Sequence, residues 1–449
     1  MGQDLKRLWM CLLWFFCGWV ALSQGEKAPG PCMRIGICTM QKTAKRSMTD
    51  NHLKELVEAA TKTNAHFKKD NKGLEVKDMQ LHDFMMNYVP DIEIWTTLII
   101  HINFSGKSFI HGDMEITVVS EITTSIRMAA LQDHMILLPM CNVNLINVKT
   151  NLPNNTRPKT VNKFLNSTLG KALTDVMCPA ADKVGQMQKQ FEFLGDAQPI
   201  GNQGNVTYSL RGSPNITSDH AHICFKTRIT RADGEEIETP TEPPALDVLP
   251  ELPKENSDLS LPVNVLNAVM ELHKDVLDQE VSSDTGGPEI NRDVLVEKVP
   301  SIEIPEGDLM FEIRSTETPT WALEPGVATL KDPLKIELKT RPEKENLFVV
   351  TATLKISTAF QVANRHLQIS LGENSLEDLA LESSSVGDFD PKLLNGYLLD
   401  ILRATLVEDL KKALENRLPL PNMMDADYGG ATIEIERNTL RAVLTSECS

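Results

Sequence analysis

The sequence predicts an α+β protein of two related domains. Apolar and polar residues alternate with period two between residues 99 and 150 and again between 308 and 371, the pattern of half-buried antiparallel strands. Each half also holds a long helical stretch with a broad apolar side. A Pro-rich acidic segment separates the halves, and each half reads in the same order: helix, strands, long helix, strand. No short tandem period accounts for that repetition.

In chain order, residues 1–23 read as a removable signal. Lys6 and Arg7 precede the apolar run WMCLLWFFCGWVAL, and Ala21 and Ser23 supply small residues for cleavage before Gln24. The run is too short for a comfortable membrane span. The expectation is a soluble, exported chain, secreted to the extracellular space.

A first domain is expected over 24–232. MTDNHLKELVEAATKTNAHF reads as a helix capped near Thr49 and Asp50, with Leu53, Leu56, Val57 and Ala60 at helical spacing. Strands follow, carrying Ile100, Ile102 and Phe104, then Met114, Ile116 and Val118, then Val143 and Leu145. A long helix is expected over 159–190, with Val161, Phe164, Leu165, Leu173, Val176 and Met177 on one side. NVTYSL and HAHICFKTRIT close the half as a strand pair across a Ser-Pro turn.

Residues 233–258 carry Pro240, Pro243, Pro244, Pro250 and Pro253, which exclude helix and interior strand and leave a stiff extended linker. The second domain, 259–449, repeats the order. LPVNVLNAVMELHKDVL reads as a helix, and strands follow in DLMFEIRST, ATLKDPLKIELKT, NLFVVTATLKIST and RHLQISL. Asp390 caps a long second helix and Pro391 starts it. Its stripe of Leu394, Tyr397, Leu398, Ile401, Leu402, Leu410 and Leu414 is wide enough to fill one face of a curled sheet. Lys411, Lys412 and Arg417 suit the helix dipole, and Pro419 and Pro421 end the helix. A last strand is expected in ATIEIERNTLRAVL.

Charge is uneven: residues 24–240 carry a net +1 and residues 241–449 a net −19. An anionic surface, if met, is met by the first half. Six cysteines follow the signal: Cys32, Cys38, Cys141, Cys178, Cys224 and Cys448. An even count in an oxidising compartment implies disulfides, but spacing does not assign them. Five N-glycosylation sequons, at Asn103, Asn154, Asn166, Asn205 and Asn215, all lie before residue 220.

Enzyme chemistry is not visible. No G-x-S-x-G elbow, H-E-x-x-H helix, P-loop or Rossmann glycine pattern occurs. His220 and His222 share a strand face without an evident third ligand. No catalytic residue, metal site, cofactor or nucleic-acid partner is expected.

The whole pattern resembles the BPI/LBP/PLUNC superfamily of secreted lipid-binding proteins. Asn205-Val-Thr-Tyr-Ser-Leu210, Ser213-Pro214 and the His220–Lys226 run look like the family's strands before its linker. Gly387-Asp-Phe-Asp-Pro-Lys-Leu-Leu394 and Arg417-Leu-Pro-Leu-Pro421 look like its second-domain helix start and end. Among members, the acidic balance and clustered sequons are most similar to an avian egg-white type.

The resemblance implies an elongated two-domain boomerang. Each domain would be an antiparallel barrel-like sheet wrapped on a long helix, with a central sheet joining them. It implies a disulfide between Cys141 and Cys178, whose closed loop contributes roughly 3–4 kcal/mol. Cys32, Cys38, Cys224 and Cys448 stay open among three pairings. It also implies an apolar pocket in each domain for phospholipid or lipopolysaccharide acyl chains, and a role in innate antibacterial defence.

The 18 methionines suit an adaptable lining, and each buried methylene is worth ~0.8 kcal/mol. The candidate contacts to anionic lipid are Lys68, Lys69, Lys72 and Lys107. The family's basic tip is thinned here, because Lys107 is the only lysine of the turn Phe104–Gly112. The alternative expectation is an acidic structural or interaction glycoprotein that keeps the fold without lipid.

Overall fold

The computed structural model describes residues 30–47, 74–107, 113–151, 193–238 and 250–446, apart from 92, 132–133, 283–289, 342, 416 and 423–427. It also describes single helical residues within 54–62 and 170–178. The first half contributes β1 (Cys32–Gly36), α1 (Ile37–Ser47), β2 (Leu74–Val89), β3 (Glu93–Lys107), β4 (Asp113–Leu131), β5 (His134–Thr150), β6 (Ala197–Ile200), β7 (Gly204–Leu210), β8 (Asn215–Ile216), β9 (His220–Arg231) and β10 (Glu236–Ile237). The second begins with β11 (Ser257–Pro262), α2 (Val263–Glu271), β12 (Gln279–Ser282), α3 (Arg292–Lys298), β13 (Leu309–Ser315), β14 (Thr320–Glu324) and β15 (Val327–Thr340). It continues with β16 (Asn346–Ala363), β17 (His366–Ser384), α4 (Asn395–Ala404), α5 (Leu406–Leu414), β18 (Leu418–Pro419), β19 (Thr432–Glu436) and β20 (Thr439–Leu444).

Three sheets organise these elements. β2–β3–β4–β5 is an antiparallel meander. The second half has the order β12–β13–β15–β16–β17–β18, with β14 beside β15. Both halves share a nine-stranded sheet, β19–β20–β11–β1–β9–β7–β6, in which β8 and β10 also pair with β9. The two halves meet where β1 pairs antiparallel with β11, Met33 opposite Leu259. This is the central sheet expected from the resemblance. The expected barrel-like closure differs: the meander ends at β2 and β5, which do not pair with each other among the described residues.

The strand patterns read from the sequence place their apolar residues inward. Ile100, Ile102, Phe104, Met114, Ile116 and Val118 are all buried. Two long strands, β16 and β17, absorb their mismatch in register shifts near Val350, Thr353 and Thr358. Pro333 sits inside β15 without breaking it. One side of β15 pairs with β13 up to Leu334 and with β14 from Lys331. At that changeover no ladder donor is required of Pro333, and its carbonyl accepts from the Thr316 amide at 2.8 Å.

Several boundaries differ from the sequence expectation. The ends of the segment read as linker are strands: β10 pairs with β9, and β11 is fully buried between β1 and β20. LPVNVLNAVMELHKDVL divides into the end of β11, α2 and a 3-10 turn at Lys274–Val276, because Pro262 cannot be interior to a helix. The last strand is a hairpin, turned at Asn438 with φ 58°, a conformation asparagine tolerates.

The long second helix is three pieces. Asp390 accepts from the Lys392 amide at 3.0 Å and Pro391 starts a 3-10 turn. The chain then breaks between α4 and α5 at Thr405 (φ −123°, ψ −90°), whose hydroxyl donates to the Ile401 carbonyl at 2.9 Å. The first-half helices expected at 48–67 and 159–190 fall largely outside the described residues. Of their named positions, Val57, Leu173 and Met177 are helical and buried.

Candidate functional site

The first-half interior is one continuous apolar face. Alternation turns Met79, Phe84, Met86 and Tyr88 of β2 inward, with Ile94, Leu98 and Ile100 of β3 and Ile122, Ile126 and Met128 of β4. Val57, Leu173 and Met177 belong to the same buried cluster and supply helical residues to it. A disulfide joins Cys141 on β5 to Cys178, with Cα atoms 5.7 Å apart. Nearby, a Cβ added to Gly170 would meet Leu145 at 3.4 Å, so helix and sheet approach closely. Tyr88 closes the end near the central sheet. Its hydroxyl donates to the Ile35 carbonyl at 3.0 Å, and burial pushes its pKa far above the ordinary tyrosine value.

The second-half interior is built differently. Leu394, Leu398, Ile401 and Leu402 of the first two helical pieces and Leu406, Val407, Leu410 and Leu414 of α5 are buried against the sheet. Phe348 stands edge-on to Phe389 at 5.3 Å and to Phe311 at 6.4 Å, and Phe311 meets Tyr397 at 6.3 Å. Trp321 meets Phe360 at 5.5 Å. His273 and Asp332 are buried titratable groups of this half. Burial holds the His273 pKa down to about 4, and neither ring nitrogen has a hydrogen-bond partner. Burial pushes the Asp332 carboxyl up to about 7, and Asp278 adds repulsion. The Ser315 hydroxyl favours the anion without completing a hydrogen bond to it.

Polar contacts join the halves. Asp258 of β11, fully buried, accepts from Arg34 Nε at 2.9 Å and from Arg441 Nε and Nη2 at 3.0 and 2.8 Å, with a further contact from Arg34 Nη2. Arg441 reaches on to Glu434 at 2.8 Å. His222, opposite Arg34 on β9, has a lowered pKa, first from burial and then from His220 and Arg34. The helix exit Leu418-Pro-Leu-Pro421 offers carbonyls but few donors. Tyr208 of the first half donates to the Pro419 carbonyl at 2.7 Å, and Tyr428 donates to the Pro421 carbonyl at 2.5 Å.

The predicted site residues are not gathered in one place. Lys68, Lys69, Lys72, Asn154 and Asn166 lie outside the described residues. Lys107 ends β3, paired with Asp113 of β4. Asn103 is half-buried in the middle of β3, Asn205 half-buried in β7, and Asn215 exposed in β8. The rings of His220 and His222 are 6.2 Å apart, and His220 Nε2 lies 3.2 Å from the Pro253 carbonyl. No cluster of three or more potential metal ligands occurs among the described residues. Cys32 is bonded to Cys224, the residue opposite it across β1 and β9, and Cys38 is also disulfide-bonded.

Sequence reasoning missed Asp258, Arg34, Arg441 and Tyr208. The carboxylate sits in SDLSLP, which reads as a linker end, and nothing local marks its partners.

Comparison with known proteins defines the class. Residues 38–189 match the family model for the LBP/BPI/CETP N-terminal domain. Two curated relatives carry the same name, BPI fold-containing family B member 6. The mouse protein is 30% identical over 448 residues, covering 96% of this chain and 98% of its own. The human protein is 29% identical over 439 residues, covering 94% and 96%. The crystal structure of lipopolysaccharide binding protein superposes with a TM-score of 0.59 at 17% identity, over 94% of this chain and all of that one. The chain therefore belongs to the LBP/BPI/CETP family, and its α+β fold is the two-domain boomerang of that family.

Proposed function

We propose that the chain is a secreted, non-enzymatic lipid-binding protein that takes phospholipid acyl chains into an apolar interior. The observation that carries this reading is the first-half face. It is apolar along three long strands, rich in methionine, and covered by helical residues that a disulfide ties to the sheet. Burial of acyl methylenes drives binding at ~0.8 kcal/mol each, and no reacting group is required.

The chain has the fold of a lipid-binding family, and lipopolysaccharide binding protein is one such relative by its name. Lipopolysaccharide is a weaker candidate for this chain, because the proposed anionic contacts reduce to Lys68, Lys69, Lys72 and Lys107 and the second half is strongly acidic. A role in innate antibacterial defence extends the same reading. The five sequons, Asn103, Asn154, Asn166, Asn205 and Asn215, are proposed to carry glycans in the secretory route.

Native mass spectrometry of the purified protein, followed by solvent extraction, tests the reading. Co-purifying phospholipid is expected. A lipid-free protein that also takes none from phosphatidylcholine vesicles favours the alternative of an interaction glycoprotein.

A further inference from the structure

We propose that Cys38 and Cys448 form a disulfide that joins the first half to the end of the second, so that the halves stay covalently attached when the Pro-rich segment between them is cut. The inference is independent of what the interiors bind.

Cys38 lies in the first turn of α1, buried and disulfide-bonded. Cys32 is bonded to Cys224, and Cys141 to Cys178. The cysteines left to pair with Cys38 are Cys11, Cys17 and Cys448. Cys11 and Cys17 belong to the run read as a removable signal.

A chain of contacts brings the end of β20 to α1. β20 runs antiparallel to β11, and its last residue, Leu444, stands opposite Ser257. The Ser257 hydroxyl, on a fully buried residue, donates to Thr39 Oγ1 at 2.6 Å and accepts from the Gly36 amide at 3.0 Å. Thr39 Oγ1 lies 2.9 Å from Ser446 Oγ. The approach is close at the backbone too. A Cβ on Gly36 would meet the Asn256 carbonyl oxygen at 2.3 Å, so glycine is required where β1 passes into α1. Thr39 is the neighbour of Cys38, and Ser446 precedes Cys448 by two residues. Two residues span up to about 7 Å, and a disulfide needs Cα atoms roughly 4.4–6.8 Å apart. Cys448 therefore reaches Cys38 without disturbing the contact that holds Ser446.

Bond formation oxidises two thiols. Two S–H bonds break and one S–S bond forms. The two protons and two electrons pass to the disulfide of an exchange donor in the oxidising secretory route, which leaves as a dithiol. The Cys32–Cys224 and Cys141–Cys178 bonds both close within the first half. The Cys38–Cys448 bond instead spans the segment 239–249, across the same junction as the β1–β11 pairing.

The test uses the full chain, secreted from eukaryotic cells and alkylated before denaturation. Tryptic mapping without reductant is expected to give peptide 35–42, which holds Cys38, joined to peptide 442–449, which holds Cys448. An alkylated Cys448 overturns the proposal, as does Cys38 joined to Cys11, to Cys17 or to a second copy of the chain. A protease site placed between residues 239 and 249 gives a second readout. After cleavage, the denatured and unreduced protein is expected to run as one species and to part into two on reduction. Cys448→Ser is expected to give two species without reductant, and a single species from that variant overturns the proposal. Where the variant is not secreted, the peptide map of the unmodified chain decides.

Discussion

Asp258, fully buried, joins two arginines, the buried Arg441 and the partly exposed Arg34. Removing one partner of such a set leaves buried charge uncompensated, at a cost of about 3–5 kcal/mol. Asp258→Ala is therefore expected to lower the unfolding free energy by that amount in denaturant titration, and Arg441→Met to lower it less, because Arg34 still faces the carboxylate. Asp332 and His273 make a second prediction, in pH. The folded Asp332 pKa of about 7 lies above its ordinary value of 3.8, so the native state binds more protons between those values. Its contribution falls as pH rises through that window. The folded His273 pKa of about 4 lies below its ordinary value of 6.5, so its contribution falls as pH drops through that range. The two slopes oppose each other in the unmodified protein. Asp332→Asn is expected to raise stability at pH 8 by roughly 2–4 kcal/mol and to expose the acid-side loss from His273. Melting curves from pH 4 to pH 8 check this, and an unchanged profile counts against it. Neither residue is legible as special in the sequence, since burial of one carboxylate depends on where β15 changes partners.

Among elements, the helix exit is the clearest case of local chemistry meeting tertiary need. Pro419 and Pro421 were readable as stops, and Asp390 and Pro391 as a start, because capping is settled by neighbours in sequence. The break at Thr405 was not readable, since a hydroxyl that bonds one turn back occurs in unbroken helices too. What the prolines face was equally invisible: Tyr208 lies 211 residues away. Tyr208→Phe leaves the buried Pro419 carbonyl without its donor and is expected to cost about 1–3 kcal/mol, measured by denaturation. The inward faces of β3 and β4 were legible residue by residue, because period-two alternation is a local signal. The hairpin β19–β20 reads in the sequence as one strand because its turn, Arg437-Asn438, lacks a glycine. The candidate site was legible only as a class of lining. Methionine content points to an adaptable wall, but which methionines turn inward is set by strand register.

For the whole molecule, the decisive feature is that neither half completes the central sheet alone. β1 lies between β9 of its own half and β11 of the other, so separating the halves exposes the backbone edges of β1 and β11. It also strips the buried Asp258 from Arg34, and Tyr208 from the buried Pro419 carbonyl. These losses fall together, and the buried apolar residues of both halves form one cluster, which makes the halves one cooperative unit. A protease site placed between residues 239 and 249 tests this. The nicked chain, reduced or not, is expected to elute from gel filtration at the volume of the intact protein. It should unfold in a single calorimetric transition within a few degrees of the uncut one. Fragments that part under native conditions, or two resolved transitions, would show that the halves fold as independent units. The same nicked protein carrying Asp258→Ala is expected to come apart once it is reduced, because the cut and the opening of the Cys38 disulfide remove the covalent links and the substitution removes the charge set that spans the junction.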